Sequence, residues 1–412
     1  MRLKASIILA LLVSFNIFAQ TDPLTLQYAV SGTVIDSENS HALQFVVVTI
    51  PGLKIATVTN ADGGFVIKSH TRPQELEFTL LGYKSARVAV EPGAQGITVR
   101  MERNNLTLNE AVVVSGNPYT IMETAISRIK DNYPSSPELF DCFYRETIQK
   151  RHRYIFISEA VSRLYKTSYR RETFDGDRVT VDKSRILMSP SSRDTLSVKV
   201  VGGPTQAVNL DFVKNNDLLD RRDLENYVLK MEAPSMIGDR YQFAIRMIPA
   251  KETPYPLYEG LVYIDRETYA FTRFDLNLDM SDLDKATKAI LISKPAGLRF
   301  KPTEVALRFD YSMDGNICRT SYVRTVIRFQ CDWKRRLIKT DFTAVSELVT
   351  TDRHDPEGQV ITRKEAFGRR DALSDKADFD FDPEFWKDYN IIEPTESLDR
   401  AISRIKKQTE RK

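Results

Sequence analysis

A long two-residue alternation in the second half of the chain limits its fold more than any other feature. Val305, Leu307, Phe309, Tyr311 and Met313 are apolar in step, and Arg308, Asp310 and Ser312 between them are polar. After Asp314-Gly315-Asn316 the pattern resumes. Val323, Thr325, Ile327, Phe329, Cys331 and Trp333 take one side, and Arg324, Arg328, Gln330 and Asp332 take the other. Successive side chains of a strand point to opposite faces, whereas a helix would scatter this pattern around its axis. The run dictates two long antiparallel strands with one buried face and one wet face. Gly260 to Ile264, the turn Asp265-Arg266-Glu267-Thr268 and Tyr269 to Met280 read as a second hairpin. Tyr154 to Tyr165 and Tyr241 to Met247 add strands, and the more polar Leu210 to Tyr227 reads as helix. Residues 140–352 are therefore expected to form one large antiparallel β domain.

Long strands in a twisted sheet coil toward a partial barrel. The expected fold is a curved sheet, or half-barrel, with a few helices. An apolar concavity would be lined by in-step residues, and the candidates for ligand binding are Phe274, Leu276, Phe309, Tyr311, Ile327 and Phe329. If helices cover that face loosely an acyl chain can enter, gaining about 0.8 kcal/mol per buried methylene. If they fill it, the same residues make an ordinary core.

Residues 28–102 read as a separate small all-β unit. Val30 to Ile35, Phe45 to Ile50, Thr57 to Thr59, Phe65 to Ile67, Glu75 to Thr79, Ala86 to Val90 and Ile97 to Met101 give about seven short strands with turn residues between them. Gly32-x-Val34, the turn Thr59-Asn60-Ala61-Asp62-Gly63-Gly64-Phe65, and Leu81-Gly82-Tyr83 mark the segment as similar to the carboxypeptidase regulatory-like domain family. That resemblance implies a seven-stranded, Ig-like β-sandwich with a structural or interaction role and no peptidase activity of its own. Asn60 stands where the family usually has aspartate. Asn60 and Asp62 suit a tight turn by local hydrogen bonding, and no six- to eight-oxygen calcium site is visible around them. Residues 103–139 read as a linker and an amphipathic helix. Leu108 to Val114 resembles the tract that follows such domains in Gram-negative outer-membrane receptors. Tyr119 to Asp131 puts Ile121, Ala125, Ile126 and Ile129 on one helix face.

The hairpin Gly260-x-x-Tyr263-Ile264-Asp265-x-x-Thr268-x-x-Phe271, set in a large sheet, resembles the lipoprotein-carrier fold of LolA- and LolB-like proteins. This resemblance is architectural and implies an apolar ligand. Residues 353–412 read as an extended tail and a last helix, Leu398 to Lys407. Phe379 to Trp386 alternates acids with large aromatics of the kind that dock into a groove of their own domain. The hexapeptide Ala125 to Lys130 recurs letter for letter at Ala401 to Lys406, which similar amphipathic surfaces explain without duplication.

Residues 1–20 have the layout of a cleaved secretory signal. Arg2 and Lys4 precede the apolar run Ala5 to Phe15, and small Ala19 offers a cleavage point. The run is too short to span a bilayer, and no later apolar stretch replaces it. The expected address is the periplasm or the periphery of the outer membrane. Net charge is +3, of which Arg2 and Lys4 contribute two. So neutral a chain makes no electrostatic case for nucleic acid or acidic membranes. Its three cysteines, Cys142, Cys318 and Cys331, cannot all pair. Cys318 and Cys331 on one extended strand would lie about 40 Å apart, so buried, unpaired thiols are expected.

No catalytic constellation is visible. The four histidines His41, His70, His152 and His354 have no paired metal spacing, and there is no Cys-x-x-Cys, serine elbow or phosphate loop. Asp352 and His354 would share a strand face with Asp355 pointing away, and Arg353 between them repels a cation, so solvated surface is the reading. Carboxylate pairs such as Asp175/Asp177 and Asp265/Glu267 fall in turns. No catalytic residue, metal or cofactor is assigned. The reading is a non-enzymatic envelope binding or accessory protein. Its sandwich would be an interaction module, and its large sheet would bind a lipid, another apolar ligand, or a segment of an envelope partner. The alternatives are an enzyme acting on envelope polymers and a scaffold. Amino-terminal sequencing of the exported chain should give a start at or next to Gln20. Recovery of Met1 in a membrane fraction would contradict the leader.

Overall fold

The computed structural model describes residues 28–91, 94–104, 116–170, 176–191, 198–214, 221–333, 339–368, 371, 373 and 385–411. Residues 1–20, the tract Leu108 to Val114, the stretch Phe379 to Glu384, and Asp175 lie outside them. Seven short strands come first: β1 (Tyr28–Asp36), β2 (Val47–Thr49), β3 (Ala56–Val58), β4 (Gly64–Ser69), β5 (Glu75–Thr79), β6 (Ala86–Ala89) and β7 (Ile97–Met101). They form two sheets, β4-β1-β7 and β3-β2-β5-β6. Val30, Val34, Val48, Phe65, Ile67, Phe78 and Met101 fill the space between these sheets, as the inward half of each alternating strand should. Gly63 has φ +75°, and a Cβ there would stand 2.5 Å from the Val34 carbonyl oxygen. The turn therefore requires glycine twice over, for its backbone sign and for its closeness to β1.

The rest of the sheet-forming chain is β8 (Glu138–Lys150), β9 (Arg153–Lys166), β10 (Arg178–Met188), β11 (Lys199–Val200), β12 (Tyr227–Met231), β13 (Ser235–Ile237), β14 (Arg240–Pro249), β15 (Tyr258–Asp265), β16 (Phe271–Leu278), β17 (Leu291–Ser293), β18 (Leu298–Asp314), β19 (Ile317–Trp333) and β20 (Thr340–His354). Eleven of these make one open sheet in the order β10-β9-β8-β20-β19-β18-β16-β15-β14-β12, with β13 beside β14. Every pairing in it is antiparallel. The chain is thus mainly β: a seven-stranded sandwich followed by a large antiparallel sheet, as its alternation requires. The turn at Asp314-Gly315-Asn316 joins β18 to β19, with Gly315 at φ +62°. Gly260 has φ +149°, and a Cβ would meet the Asp275 carbonyl oxygen at 2.1 Å. The glycine that opens the β15–β16 hairpin motif is there so that β16 can pass close to it.

The inner face of the large sheet carries the main core. Against it pack the helices Pro118–Ser127 and Leu283–Ile290 and the segment 203–214, which supply Ile121, Ala125, Ala207, Phe212, Ala286 and Ile290. The Pro118–Ser127 helix begins at Asn117, whose side chain accepts from Tyr119 N and Thr120 N, and it breaks at Arg128 before a last turn, Ile129–Asn132. Helix was expected from Leu210 to Tyr227. Residues 211–214 turn instead, and the described helical piece is Arg221–Leu224. Asp211 and Lys214 are drawn into a buried ionic cluster, and that holds the chain out of a helix. The two copies of the repeated hexapeptide do the same local job. Arg128 Nη1 donates to the Thr268 carbonyl beside the β15–β16 turn, and Arg404 Nη2 donates to the Tyr154 carbonyl beside the β8–β9 turn. The last helix runs Glu396–Thr409.

Gly63→Ala should lower stability by about 1 kcal/mol or more, since a side chain at positive φ is strained before the Val34 contact is counted. Thermal unfolding of the full chain checks this, and an unchanged midpoint would contradict the turn geometry.

Candidate functional site

The sheet brings all six candidate ligand residues together. Phe274 lies opposite Phe309, Leu276 opposite Leu307, Phe309 opposite Val323, and Ile327 opposite Val305. They are 0–4% exposed and belong to one cluster. The Phe309 and Tyr311 rings are 4.8 Å apart, Phe329 is 5.5 Å from Phe342, and Phe212 of the covering segment is 5.4 Å from Phe274. Where these side chains lie the inner face is covered by segment 203–214 and the Pro118–Ser127 and Leu283–Ile290 helices, so a ligand would reach them only by displacing part of that cover.

That segment is held by a cluster the alternation did not reveal. Asp211, wholly buried, accepts from Lys166 Nζ, from Tyr169 Oη at 2.6 Å and from Tyr311 Oη at 2.5 Å. Lys214, also buried, donates to Asp177 at 2.7 Å and to the Thr167 carbonyl at 2.6 Å. Burial alone would push the Asp211 carboxyl up. Lys166 and the two tyrosine hydroxyls outweigh it and hold that carboxyl below its usual range. Burial, with the neighbouring Lys166 charge, brings Lys214 down to about 8 against the pull of Asp177. Asp177 and Asp265 were expected to be solvated turn residues, yet they are 3% and 0% exposed. Asp265 does cap its turn, accepting from Thr268 N at 2.9 Å, and it also takes both ends of the Arg240 guanidinium at 2.7 Å. Tyr311 thus reaches a buried carboxylate as well as the apolar wall it was assigned to.

The outer face of the sheet is covered by the sandwich and by the tail. Phe45, at φ +62°, places its ring 5.5 Å from Tyr322, with the guanidinium carbons of Arg308 and Arg324 4.9 and 5.2 Å from its centre. Residues 385–396 run between sandwich and sheet as a strap. Glu159, buried beneath it, pairs with Arg145 and Arg185 at 2.6 Å each and accepts from Trp386 Nε1 at 2.9 Å. Burial opposes its charge, and the two guanidiniums and the indole win, so its carboxyl is held below the ordinary glutamate range. Arg145 Nη2 also donates to the Ile392 carbonyl at 2.7 Å. On the sandwich side, Lys68 Nζ donates to the carbonyls of Trp386, Lys387 and Tyr389 at 2.9–3.0 Å. The Asn390 side-chain amide pairs with both Lys68 N and Lys68 O. Lys68 is on β4, an edge strand, and Asn390 caps its open hydrogen bonds as a neighbouring strand would.

Asn60 and Asp62 find their roles here. Asn60 Oδ1 accepts from Asp62 N and Gly64 N, and Nδ2 donates to the carbonyls of Glu393 and Pro394 at 3.2 and 3.0 Å. Asp62 Oδ2 accepts from Glu396 N at 2.8 Å, at the start of the last helix. The amide at position 60 is required because two carbonyl oxygens face it. Gly82 N, in the third family-like mark, donates to the Met236 carbonyl at 2.7 Å, so the same loops that mark the sandwich bind it to the large sheet.

Beside the strap the two units stand apart and leave a cleft with two lobes of about 370 and 340 Å³. The lobes meet at Val47, Thr49, Glu77, Ser312, Met313 and Ser321. Apolar Leu53 and Ile55 line one lobe and Leu80, Leu81 and Ile237 the other, with Arg319 and Arg353, and Arg240, Arg273 and Arg308, at the sheet side. Asp352 and His354 share a face as expected, and the sheet adds Asp141, opposite Asp352 on β8. The three ligand-type atoms lie within 4.8 Å of one another, and the His354 Nε2 to Asp141 Oδ2 contact of 2.9 Å accounts for the group as a surface pair. Asp355 is not part of it. The three cysteines are buried and free. Burial pushes Cys318 up to about 12 and Cys331 to about 11, far from thiolate reactivity.

A family model described as the CarboxypepD_reg-like domain matches residues 30–114. The sandwich is a CarboxypepD_reg-like domain. The match stops short of the large sheet, and no curated protein matches the chain. Solved structures similar to it include a LolA superfamily protein from Nitrosomonas europaea, 11% identical over 61% of this chain and 99% of that one, with a TM-score of 0.25. A DUF1329 family protein from Desulfovibrio piger is 11% identical over 57% of this chain and 94% of its own, with a TM-score of 0.23. MucB is 13% identical over 55% and 93%, with a TM-score of 0.18.

Asn60→Asp should weaken the contact between the CarboxypepD_reg-like domain and the strap by about 1–3 kcal/mol, because a carboxylate would face two buried carbonyls with no donor. The facing carbonyls raise the pKa of the introduced carboxyl, so as pH falls toward the ordinary aspartate value of about 4 it takes up a proton and regains one donor, and the deficit should shrink over that approach and level off below it. Thermal unfolding of both chains across pH checks this, and a deficit independent of pH would contradict the role given to the amide.

Proposed function

We infer that the protein is a non-enzymatic binding or accessory protein of the cell envelope, and that its ligand seat is the cleft between the CarboxypepD_reg-like domain and the outer face of the large sheet. The observation that carries this reading is the strap. Over residues 385–396 this same crevice already holds a segment, a turn followed by loop, through apolar side chains and bonds to its backbone carbonyls. The neighbouring cleft offers a related combination: apolar side chains from both walls, Ile237 of the sheet among them, and sheet arginines that each also pair with a carboxylate, as Arg308 does with Asp310 and Arg353 with Asp314. An amphipathic ligand, or an extended segment of an envelope partner, fits that combination. The inner-face residues Phe274, Leu276, Phe309, Tyr311, Ile327 and Phe329 then serve as the core behind the seat. A lipid bound among them would require part of their cover to lift.

Native mass spectrometry of the protein from its own periplasm, together with titration of a fluorescent fatty-acid probe, tests the reading. Met313→Trp, at the junction of the two lobes, should abolish probe binding at a smaller stability cost than Phe309→Ala, since Met313 is only half-buried against the inner core. Phe309→Ala should cost roughly 3–5 kcal/mol of stability and leave probe affinity of the folded fraction unchanged. Probe binding lost in Phe309→Ala and kept in Met313→Trp would move the seat to the inner face. A wild-type chain with no bound molecule and no probe affinity would leave a scaffold.

A further inference from the structure

Two basic stretches that lie far apart in sequence meet at one end of the large sheet. The Glu396–Thr409 helix packs there, with Leu398 and Ile405 clustered against Ile157 and Leu187, and Arg404 reaches the Tyr154 carbonyl at 2.8 Å. Between the helix and the β8–β9 hairpin lies a groove of about 980 Å³. Lys150, Arg151, Arg153, Arg400 and Arg404 line it together with His152, and its lining holds no carboxylate among the described residues. A second groove of about 530 Å³ on the same helix adds Lys407 and Arg411, and with them Glu396 and Asp399. Seven cationic side chains thus stand against two carboxylates in the two linings, with exposed Asp341 and Glu410 beside them, on a chain whose whole net charge is +3. Arg151, Arg153, Arg400, Lys407 and Arg411 are exposed. The near-neutral total hides this concentration, because it cancels charges that the fold keeps apart.

The patch has no apolar centre. Of the exposed large apolar side chains among the described residues, Met188 stands at this end of the sheet, opposite Phe156, and none lines either groove. Protein interfaces draw their affinity from buried aromatic and apolar anchors, which are missing here. A lipid leaflet needs only charge within reach, since each Lys or Arg held at an anionic surface raises partition about fivefold. We propose that this basic end docks the protein on a membrane leaflet of anionic phospholipid headgroups. This surface is distinct from the cleft, and it does not depend on what the cleft binds.

Co-sedimentation of the chain from Thr21 onward tests it, with vesicles of phosphatidylglycerol in phosphatidylcholine set against pure phosphatidylcholine. The chain should sediment with the first and not the second, and sodium chloride should release it, as screening over about 8 Å at physiological salt requires. The triple variant Arg400→Gln/Lys407→Gln/Arg411→Gln should lose partition on the order of a hundredfold. Arg72→Gln with Lys230→Gln, which removes exposed cations elsewhere, should leave it unchanged. If the triple variant does not fold, Lys407→Gln and Arg411→Gln are read singly, each with a loss of about fivefold. Equal binding to both vesicle types, or variants that bind like wild type, would overturn the proposal. So would binding to polyglutamate or to nucleic acid without binding to vesicles, because the patch would then serve a soluble polyanion.

Discussion

Glu159 is a carboxylate with no access to water, and the arrangement of the whole molecule turns on how its charge is answered. It points from β9 toward the outer face of the large sheet, where Arg145, Arg185 and the Trp386 indole close around it. Taking a lone carboxylate out of water would cost several kcal/mol. Two guanidiniums over-compensate it, and their remaining donors and ring faces go to the strap: Arg145 to the Ile392 carbonyl, Arg185 against the Trp386 ring at 5.1 Å. The strap in turn supplies the carbonyls that Lys68 and Asn60 of the sandwich need. The interface is therefore a chain of obligations in which Glu159, Arg145, Lys68 and Asn60 are each answered by an element from another part of the sequence. Removing the tail would leave charges on the sheet and donors on the sandwich unsatisfied at once.

The fold was legible to the extent that it follows from backbone geometry. Period-two alternation marked β18 and β19 with their turn, and turn chemistry marked the seven short strands. The Gly63 turn was readable because positive φ leaves a residue signature. The sequence reading was misled about the outer face. Arg308, Asp310 and Arg324 alternate as wet residues should, but the sandwich and strap cover that face, and the polar side chains survive there as pairs and as cations against Phe45. A pattern of charges does not say whether the partner is water or another part of the chain.

The candidate site was less legible for the same reason. The six inner-face residues were placed together correctly by register, because register follows from alternation. Whether a face is open depends on what packs on it. Here that includes segment 203–214, whose anchoring residues Asp211 and Lys214 lie amid polar neighbours and carry no periodic signal. The cleft could not be seen at all, since its two walls come from different domains. One signal was available: Asn60, which stands where the family usually has aspartate, marks the point where the tail crosses the sandwich.

The pairing of β8 with β20 has a consequence for how the molecule is made. Phe143 lies opposite Val349, so the middle of the sheet joins the first and last long strands of its domain. A growing chain can form hairpins such as β18–β19 from local contacts, but it cannot complete the sheet until β20 has emerged, and the strap that seals the outer face comes later still. Contacts so distant in sequence fold slowly and leave strand edges unpaired meanwhile. The delay means that the sheet cannot lock until nearly the whole of its domain has been made. It also places a hazard at the end of synthesis, since a chain cut short before its last strand would present β8 and β19 as two open edges to any neighbouring copy.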